Sequence, residues 1–433
     1  MDILTINDKA GRYPDSYYAA SVDLPDPRAK AEGKIDCDVC VIGGGFMGLS
    51  SALHLAEKGF KVVLLEAHRI GWGASGRNGG QVGTGQRVDQ DSLEKTHGKV
   101  RAKELWQLGL DSVALVKQLI ERHAIDCHFV PGIIHADHRA RFVPDHHAYV
   151  EKLHTHYGYD RIEALDKDQL RALVGSPIYH GGSLDKGGGH LHPLAYALGL
   201  ARAAESAGAT LYEASRVTAV TRGAKVKIET AAAEVEARYL VIGANGYHGD
   251  LWPEVSKRVM PINNFIVATE PLSEEEARGV IRDGQAVADS KFVVNYFRLS
   301  QDRRMLFGGG ESYGYRFPKD IAAKARGPMV EIFPQLAGKR IDYAWGGTLG
   351  ITMSRLPNLQ RLADNILTAG GFSGHGVAMA SLAGQLVADA VEGQAGRFDL
   401  FASIPPPPFP GGRMLRSPLL VLAMLWYALR DRL

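Results

Sequence analysis

An apolar run ends at Cys40-Val41-Ile42, glycines stand at 43, 44 and 45, and a helical pattern takes over at Phe46-Met47-Gly48-Leu49-Ser50. A second apolar run, Lys61-Val62-Val63-Leu64-Leu65-Glu66, closes on an acid. Short unbroken apolar runs read as buried strands, and the periodic stretch between them as a helix. The pattern predicts strand, helix and strand from about Ile35 to Glu66. Gly71 to Gln81 is a glycine-rich loop. Residues 89–172 read mostly helical, with a break at Phe129-Val130-Pro131-Gly132-Ile133-Ile134. His192-Pro193 opens a periodic helix from Leu194 to Ala207, which Gly208 ends. Short strands lead to Tyr239-Leu240-Val241-Ile242-Gly243-Ala244-Asn245-Gly246. A strand-rich stretch from about Val259 to Gly310 contains Phe292–Leu299 and Met305-Leu306-Phe307. The last clear pattern is Asn365-Ile366-Leu367-Thr368-Ala369-Gly370, a turn, and a helix of small and apolar residues to about Val391. Residues 1–34, with Pro14, Pro25 and Pro27, read as an arm.

The chain has 433 residues, 45% of them apolar and 23% charged, which suits a globular protein of two or three domains. A net charge of +2 gives no footing for nucleic acid. The 50 glycines cluster in loops, as in a protein whose backbone approaches a ligand in several places. The cysteines are Cys37, Cys40 and Cys127, too few for a disulfide framework. Cys37 and Cys40 spell C-x-x-C within a strand. Residues three apart on a strand point to opposite faces, so the expectation is packing rather than a shared metal or disulfide. No secretory pattern opens the chain, and the expectation is a cytoplasmic protein. The apolar segment Leu419–Leu429, flanked by Arg413, Arg416, Arg430 and Arg432, is shorter than the ~20 residues needed to span a bilayer. It is expected to pack on the protein body, with peripheral membrane contact as the less favoured reading.

Candidate chemistry begins at Gly43-x-Gly45-x-x-Gly48. With strand, helix, strand and terminal acid in register, this is a dinucleotide site. Gly43 permits the tight turn, Gly45 admits a pyrophosphate, and Gly48 lets the helix pack close. Phe46 and Met47 open a helix whose N-terminal N–H groups and dipole favour phosphate. Glu66, 23 residues after Gly43 and followed by Ala67, is placed to hold ribose hydroxyls. The loop Gly73-Ala74-Ser75-Gly76-Arg77-Asn78-Gly79-Gly80 brings a hydroxyl, a cation, an amide and bare backbone N–H groups together, which suits a pyrophosphate and the polar edge of a ring cofactor. Arg77 is alternatively a structural ion-pair partner. His190 and His192 stand two apart, but no third ligand of evident spacing is nearby, so no metal is expected. Tyr296 and Arg298 share a strand face, either lining a pocket where the guanidinium receives a carboxylate or forming a structural face.

The chain resembles the D-amino-acid oxidase, glycine oxidase and sarcosine oxidase superfamily of flavin amine oxidases, and within it the γ-glutamylputrescine oxidase branch. The likeness covers nearly the whole chain. It is carried by Ser16-Tyr17-Tyr18-Ala19-Ala20, Gly71 to Gln81, Gly188-Gly189-His190-Leu191-His192-Pro193-Leu194, Gly371 to Val377, and Phe409-Pro410-Gly411-Gly412-Arg413. The resemblance, not the periodicity, selects FAD. It implies an α/β Rossmann-like FAD domain made of residues 35–90, 186–258 and 340–400. A substrate domain on a mainly antiparallel sheet, residues 91–185 and 259–339, is inserted into it, and residues 401–433 form a tail. It further implies that Val217 meets the adenine, that Ala244 and Asn245 pass close to the cofactor, and that Gly371, Ser373, Gly374, His375, Gly376 and Val377 lie along the flavin. His375 either donates to the cofactor or packs behind it.

Two departures narrow the reading. Sarcosine oxidases hold the substrate carboxylate with a lysine where Ala378 stands, so an amine with a remote carboxylate is expected. They also tether flavin through a cysteine in a segment where this chain has none, so FAD is expected to be non-covalent unless a histidine serves as the tether. The implied reaction oxidises an amine to an imine and then an aldehyde, with oxygen reduced to hydrogen peroxide. The amine is γ-glutamylputrescine or a similar capped polyamine. It must arrive unprotonated, and no acid–base pair is required of the protein. The alternative is a D-amino-acid dehydrogenase passing electrons to a quinone.

Overall fold

The computed structural model describes residues 2–312 and 314–410. The apolar tail segment Leu419–Leu429 and its flanking arginines lie outside the described residues. The run Gly33–Ile42 forms a strand, Phe46–Glu57 a helix and Val62–Leu65 a second strand, as the apolar pattern predicts. The two strands pair in parallel, Val39 opposite Val62 through Ile42 opposite Leu65. Thr210–Tyr212 adds in parallel beyond the second strand, and Ala233–Ile242 and then Ile366–Gly370 add in parallel beyond the first. Numbered in chain order, the five parallel strands lie 3-2-1-4-5, the doubly wound order. Helices 46–57, 193–206 and 376–392 pack together on one face over Leu49, Leu53, Tyr196, Leu200, Leu382 and Leu386.

A second sheet crosses beside the first. Its strand order is 341–351, 260–269, 305–312, 296–299, 286–289, 130–136, 182–190 and 81–82, with 162–165 paired to 182–190. All pairings but one, 286–289 with 130–136, are antiparallel. Helix 321–332 and the short helices 167–173 and 274–280 bury one face over Phe297, Phe307 and Phe333. The other face looks toward the carboxyl ends of the parallel strands. Chain positions 81–82, 186–190 and 341–351 belong to this second sheet, although the sequence groups them with the cofactor segments.

Three local expectations are corrected. The N–H groups of Asp38 and Val39 both donate to the Lys61 carbonyl, at 2.9 and 3.2 Å. The alternation of faces breaks at this shared carbonyl, and Cys37 and Cys40 lie in one buried cluster instead of on opposite faces. Both thiols are free, and burial pushes the Cys37 thiol up to about 12. Residues 292–294 are not strand, because Asp289 N–H donates to Asn295 O and Asn295 N–H returns to Asp289 Oδ1, each at 2.9 Å, closing a turn. Helix Glu274–Val280 interrupts the strand-rich stretch; its capping box, Ser273 with Glu276, was present in the sequence as S-x-x-E. Among the described residues, no helix is long and apolar enough to cross a membrane.

Candidate cofactor and substrate site

In the 3-2-1-4-5 order the chain reverses direction between strands 33–42 and 233–242, and a crevice opens outside their carboxyl ends. Gly43 and Gly243 stand there. Gly43 has φ +104°, and a Cβ on it would lie 2.9 Å from the Gly243 carbonyl. A Cβ on Gly48 would lie 1.9 Å from Gly43 O, so only glycine lets the helix sit this close to the turn. Gly45 precedes the helix, and Phe46 N–H donates to Ser75 Oγ at 2.9 Å. Glu66 Oε2 accepts from Gly44 N–H at 2.7 Å, and Oε1 from His68 N–H at 2.8 Å. Burial pushes the Glu66 carboxyl up to about 7 against the pull of those amides.

The 74–80 loop is braced by its own side chains. Asn78 Nδ2 donates to the Ala74 and Ser75 carbonyls at 3.0 and 2.9 Å, and its Oδ1 accepts from Gly80 N–H at 2.8 Å. Arg77 Nη1 pairs with Asp8 at 2.9 Å, and Nε donates to Trp72 O at 2.6 Å. The guanidinium lies over the Trp72 ring, 4.4 Å from its centre. Arg77 is therefore an ion-pair partner and also part of the cavity wall.

From the far end of the chain, Asn245, at φ 45°, accepts the Gly371 N–H on Oδ1 at 2.9 Å. Ser373, at φ 54°, is fixed by its N–H to Gly350 O at 3.0 Å and by Thr352 N–H to its Oγ at 3.1 Å. His375 Nε2 donates to Gly85 O at 3.1 Å, and burial pushes the ring down to about 4. A neutral imidazole has a single N–H, so with that N–H on Gly85 O the His375 ring turns its acceptor nitrogen to the cavity. Helix Gly376–Glu392 directs its positive end at the same space.

These parts enclose one cavity of about 730 Å³. Gly43, Gly45, Phe46, Met47, Glu66 and Ala67 line it, as do Gly73, Ala74, Ser75, Arg77, Asn78 and Gly79. Val217, Ala244, Asn245, Tyr296, Ser373, Gly374, His375, Gly376 and Val377 complete the expected set. Gly48, Gly76 and Gly80 stand behind the wall in close backbone contacts, and Gly371 stands there against the Thr352 and Val259 side chains. Arg298 is a correction. It shares the sheet face with Tyr296, but its Nε donates to Gly79 O at 2.7 Å and its Nη2 to Leu191 O at 3.0 Å and Tyr18 Oη at 3.2 Å. It holds the 79–80 loop from behind and is buried. Ala378 is also buried and outside the lining, because helical rotation turns it from the cavity that Val377 and Ala380 face. His190 and His192 have separate tasks: Nε2 of His190 bonds Gly284 O at 2.8 Å, and Nδ1 of His192 caps helix 193–206 through Ala195 N–H at 3.1 Å. No metal-binding cluster occurs among the described residues.

Sequence reasoning missed several lining residues. Trp72, Arg216, His248 and Trp252 line the nucleotide arm; Thr84, Gln86, Arg87 and His135 line the arm over the second sheet. In the first group Trp72 Nε1, Trp252 Nε1 and both ring nitrogens of His248 are buried without a hydrogen-bond partner among the described residues, as is Arg77 Nη2. Single residues scattered over separate loops and strand ends leave no periodic signal in the sequence.

A model of the family described as FAD dependent oxidoreductase (DAO) matches residues 38–390. The chain is 42% identical to gamma-glutamylputrescine oxidoreductase of Escherichia coli (strain K12) over 425 residues, covering 97% of this chain and 99% of the relative. The chain belongs to the DAO family of FAD-dependent oxidoreductases. Another relative, sarcosine oxidase subunit beta of Rhizobium meliloti (strain 1021), is 26% identical over 369 residues, 80% of this chain and 81% of that one. Glycine oxidase from Geobacillus kaustophilus superposes with a TM-score of 0.73 at 23% identity, covering 85% of this chain and 98% of that one, and it shares the fold. The DAO-family cofactor fits the residues present. Orphaned buried donors on Trp72, Trp252 and Arg77, the glycine turn without Cβ atoms, and a carboxylate beside that turn match a ligand with phosphates and ribose hydroxyls.

Proposed function

We propose that this FAD-dependent oxidoreductase is an amine oxidase acting on γ-glutamylputrescine or a closely similar capped polyamine. The observation that carries the reading is full-length kinship, at 42% identity, with a relative of that name. In this reading residues 35–90, 186–258 and 340–400 supply most of the FAD site, and 91–185 with 259–339 most of the substrate site. Gly43, Gly45 and the N–H of Met47 take the pyrophosphate, with the Phe46 N–H held by Ser75 Oγ, and Glu66 takes the ribose. The 73–79 loop and the 373–377 turn take the ring system. Binding is non-covalent: the three cysteines are buried outside the cavity. Their free state also accords with a cytoplasmic enzyme.

Bound FAD supplies the electron sink for hydrogen removed from the carbon beside the amine, and oxygen takes the electrons on. The protein contributes orientation and a dry, fixed electrostatic frame. Tyr296, with its hydroxyl donated to Asn264 Oδ1 and its ring against Gly79, walls the space above the sheet. Small Ala288 beside it leaves room for an extended amine. A remote polar cap can lie toward Ser290 and Lys291 while the amine end stays near His375.

Arg87 favours the second reading, an amino-acid dehydrogenase, because a cation at the sheet end of the cavity can meet a carboxylate next to the amine. Anaerobic mixing separates them. γ-Glutamylputrescine is expected to bleach the flavin faster than putrescine, sarcosine or D-alanine, and oxygen uptake is expected without added membranes. Rapid bleaching by D-alanine or sarcosine, with none by γ-glutamylputrescine, would overturn the oxidase reading.

A further inference from the structure

The short strand Gln81–Val82 leads directly from the glycine loop into the arm of the cavity over the second sheet. Side chains alternate along it, so positions 81 and 83 share a face. Val82, between them, turns the other way and is buried in the core. A Cβ on Gly83 would lie 2.9 Å from His375 Cε1 and 3.4 Å from His375 Nδ1. The imidazole therefore lies against position 83, on the face from which Gln81 projects. Gln81 and His375 come from parts of the chain almost 300 positions apart, and the missing Cβ of Gly83 is what lets them stand side by side in the cavity wall.

Each of these side chains gives an N–H to a backbone carbonyl. Gln81 Nε2 donates to Val287 O at 2.9 Å, and His375 Nε2 donates to Gly85 O at 3.1 Å. A carbonyl oxygen only accepts, so these bonds fix the amide orientation of Gln81 and the tautomer of His375. Gln81 Oε1 and His375 Nδ1 are left as acceptors. Neither has a hydrogen-bond partner among the described residues, and neither is sealed from the cavity as the orphaned Gln86 Oε1 is. The lining thus holds two adjacent acceptors whose orientation the backbone dictates.

From this geometry we infer that Gln81 and His375 are the amine-binding pair, and that together they select primary amines over N-alkylated ones. Positions two apart on a strand are separated by ~6.6 Å. Two hydrogen bonds of about 2.9 Å converge on one nitrogen across a gap of that order. A neutral primary amine has two N–H bonds and one lone pair. One N–H goes to each acceptor, and the lone pair stays free, as loss of hydrogen from the neighbouring carbon requires. An N-methylated amine has a single N–H, so it sets a methyl group against one acceptor and leaves that acceptor unpaired. The inference rests on the amine-oxidase reading but on no particular cap.

The test is rapid anaerobic flavin reduction of the FAD-loaded enzyme at one pH, as a function of amine concentration. γ-Glutamylputrescine is compared with its derivative methylated on the reacting nitrogen. For the wild type, the methyl group raises the half-saturating concentration about tenfold. Gln81→Met removes one acceptor at similar size. It raises the value for the primary amine about tenfold and leaves that for the methylated amine nearly unchanged, so the preference collapses. Gln81→Glu keeps an acceptor oxygen and keeps the preference. FAD content is measured alongside and stays at the wild-type level. The inference is overturned if the wild type shows no preference, or if the preference survives in Gln81→Met, since the methyl group is then excluded by shape alone. Loss of FAD from Gln81→Met with an unchanged half-saturating concentration also overturns it, because the acceptor then serves the cofactor's own N–H. Failure of γ-glutamylputrescine to reduce the wild-type flavin would instead overturn the substrate reading. The comparison is then made with a primary amine of a panel that does bleach it, and if none does, the amine-binding pair falls with the amine-oxidase reading.

Discussion

The Glu66 carboxylate accepts the Gly44 N–H at 2.7 Å and so ties the end of the second strand to the turn after the first. It lies in the cavity wall with its carboxyl raised to about 7 by burial. The unliganded protein therefore holds a proton on Glu66 below pH 7. Hydroxyl donors from a bound ribose favour the ionised form, so binding FAD releases that proton. FAD affinity is expected to rise with pH between about 5 and 7, by at most about tenfold per unit, and to level off above. Glu66→Gln removes the slope, and Glu66→Ala weakens FAD by at least about tenfold. Equilibrium fluorescence titrations of apoprotein with FAD at several pH values measure both.

Flavin is expected to leave the protein on acid precipitation. Cys37, Cys40 and Cys127 are buried and none lines the cavity. Yellow colour recovered in the supernatant, with a colourless pellet, is the expected result; flavin fluorescence on the denatured chain in a gel contradicts it.

Arg298→Leu leaves the Gly79 and Leu191 carbonyls without their buried donor. Each such loss costs about 1–3 kcal/mol, so a fall in stability of several kcal/mol is expected. Arg298→Lys restores charge but not the planar fork, and recovers little. Because the guanidinium does not face the cavity, variants that still fold keep the wild-type ranking of amine substrates. Chemical denaturation and the bleaching screen read these two effects separately.

Gly48→Ala places a methyl group 1.9 Å from the Gly43 carbonyl. The helix must move off the turn to admit it, which opens the nucleotide arm. Loss of FAD with a lowered melting temperature is expected. A variant that retains FAD at wild-type affinity would show that the close approach is not needed.

What the chain discloses in advance is local. Gly43 to Glu66 reads correctly because one apolar run, one turn and one helix are enough to define it. The helix after His192-Pro193 reads because proline and histidine mark its start. The 3-2-1-4-5 order is not legible, since it sets Ile42 beside Ile242, 200 positions away. Arg298 misleads because the two-residue period gives its face but not the loop that the 182–190 strand brings beneath it. His135 is silent because a single polar residue after Ile133-Ile134 looks like an imperfection in a strand until the cavity is seen. The break in alternation at Asp38 goes with one carbonyl, Lys61, accepting two donors, and no spacing announces it.

The N-terminal arm has a consequence for how the protein comes to be built. Asn7 Oδ1 accepts from Phe317 N–H, a partner 310 positions away, and Tyr17 donates its hydroxyl to Asp302 at 2.6 Å. Tyr18 is fully buried, with its ring 5.1 Å from that of Trp345. These residues leave the ribosome long before Asp302, Phe317 and Trp345 exist. The arm must wait as loose chain while both sheets assemble, and its docking is the final clasp on a body already formed. A bulky tag fused at that end would therefore strike the last step of maturation, after the parallel sheet is complete.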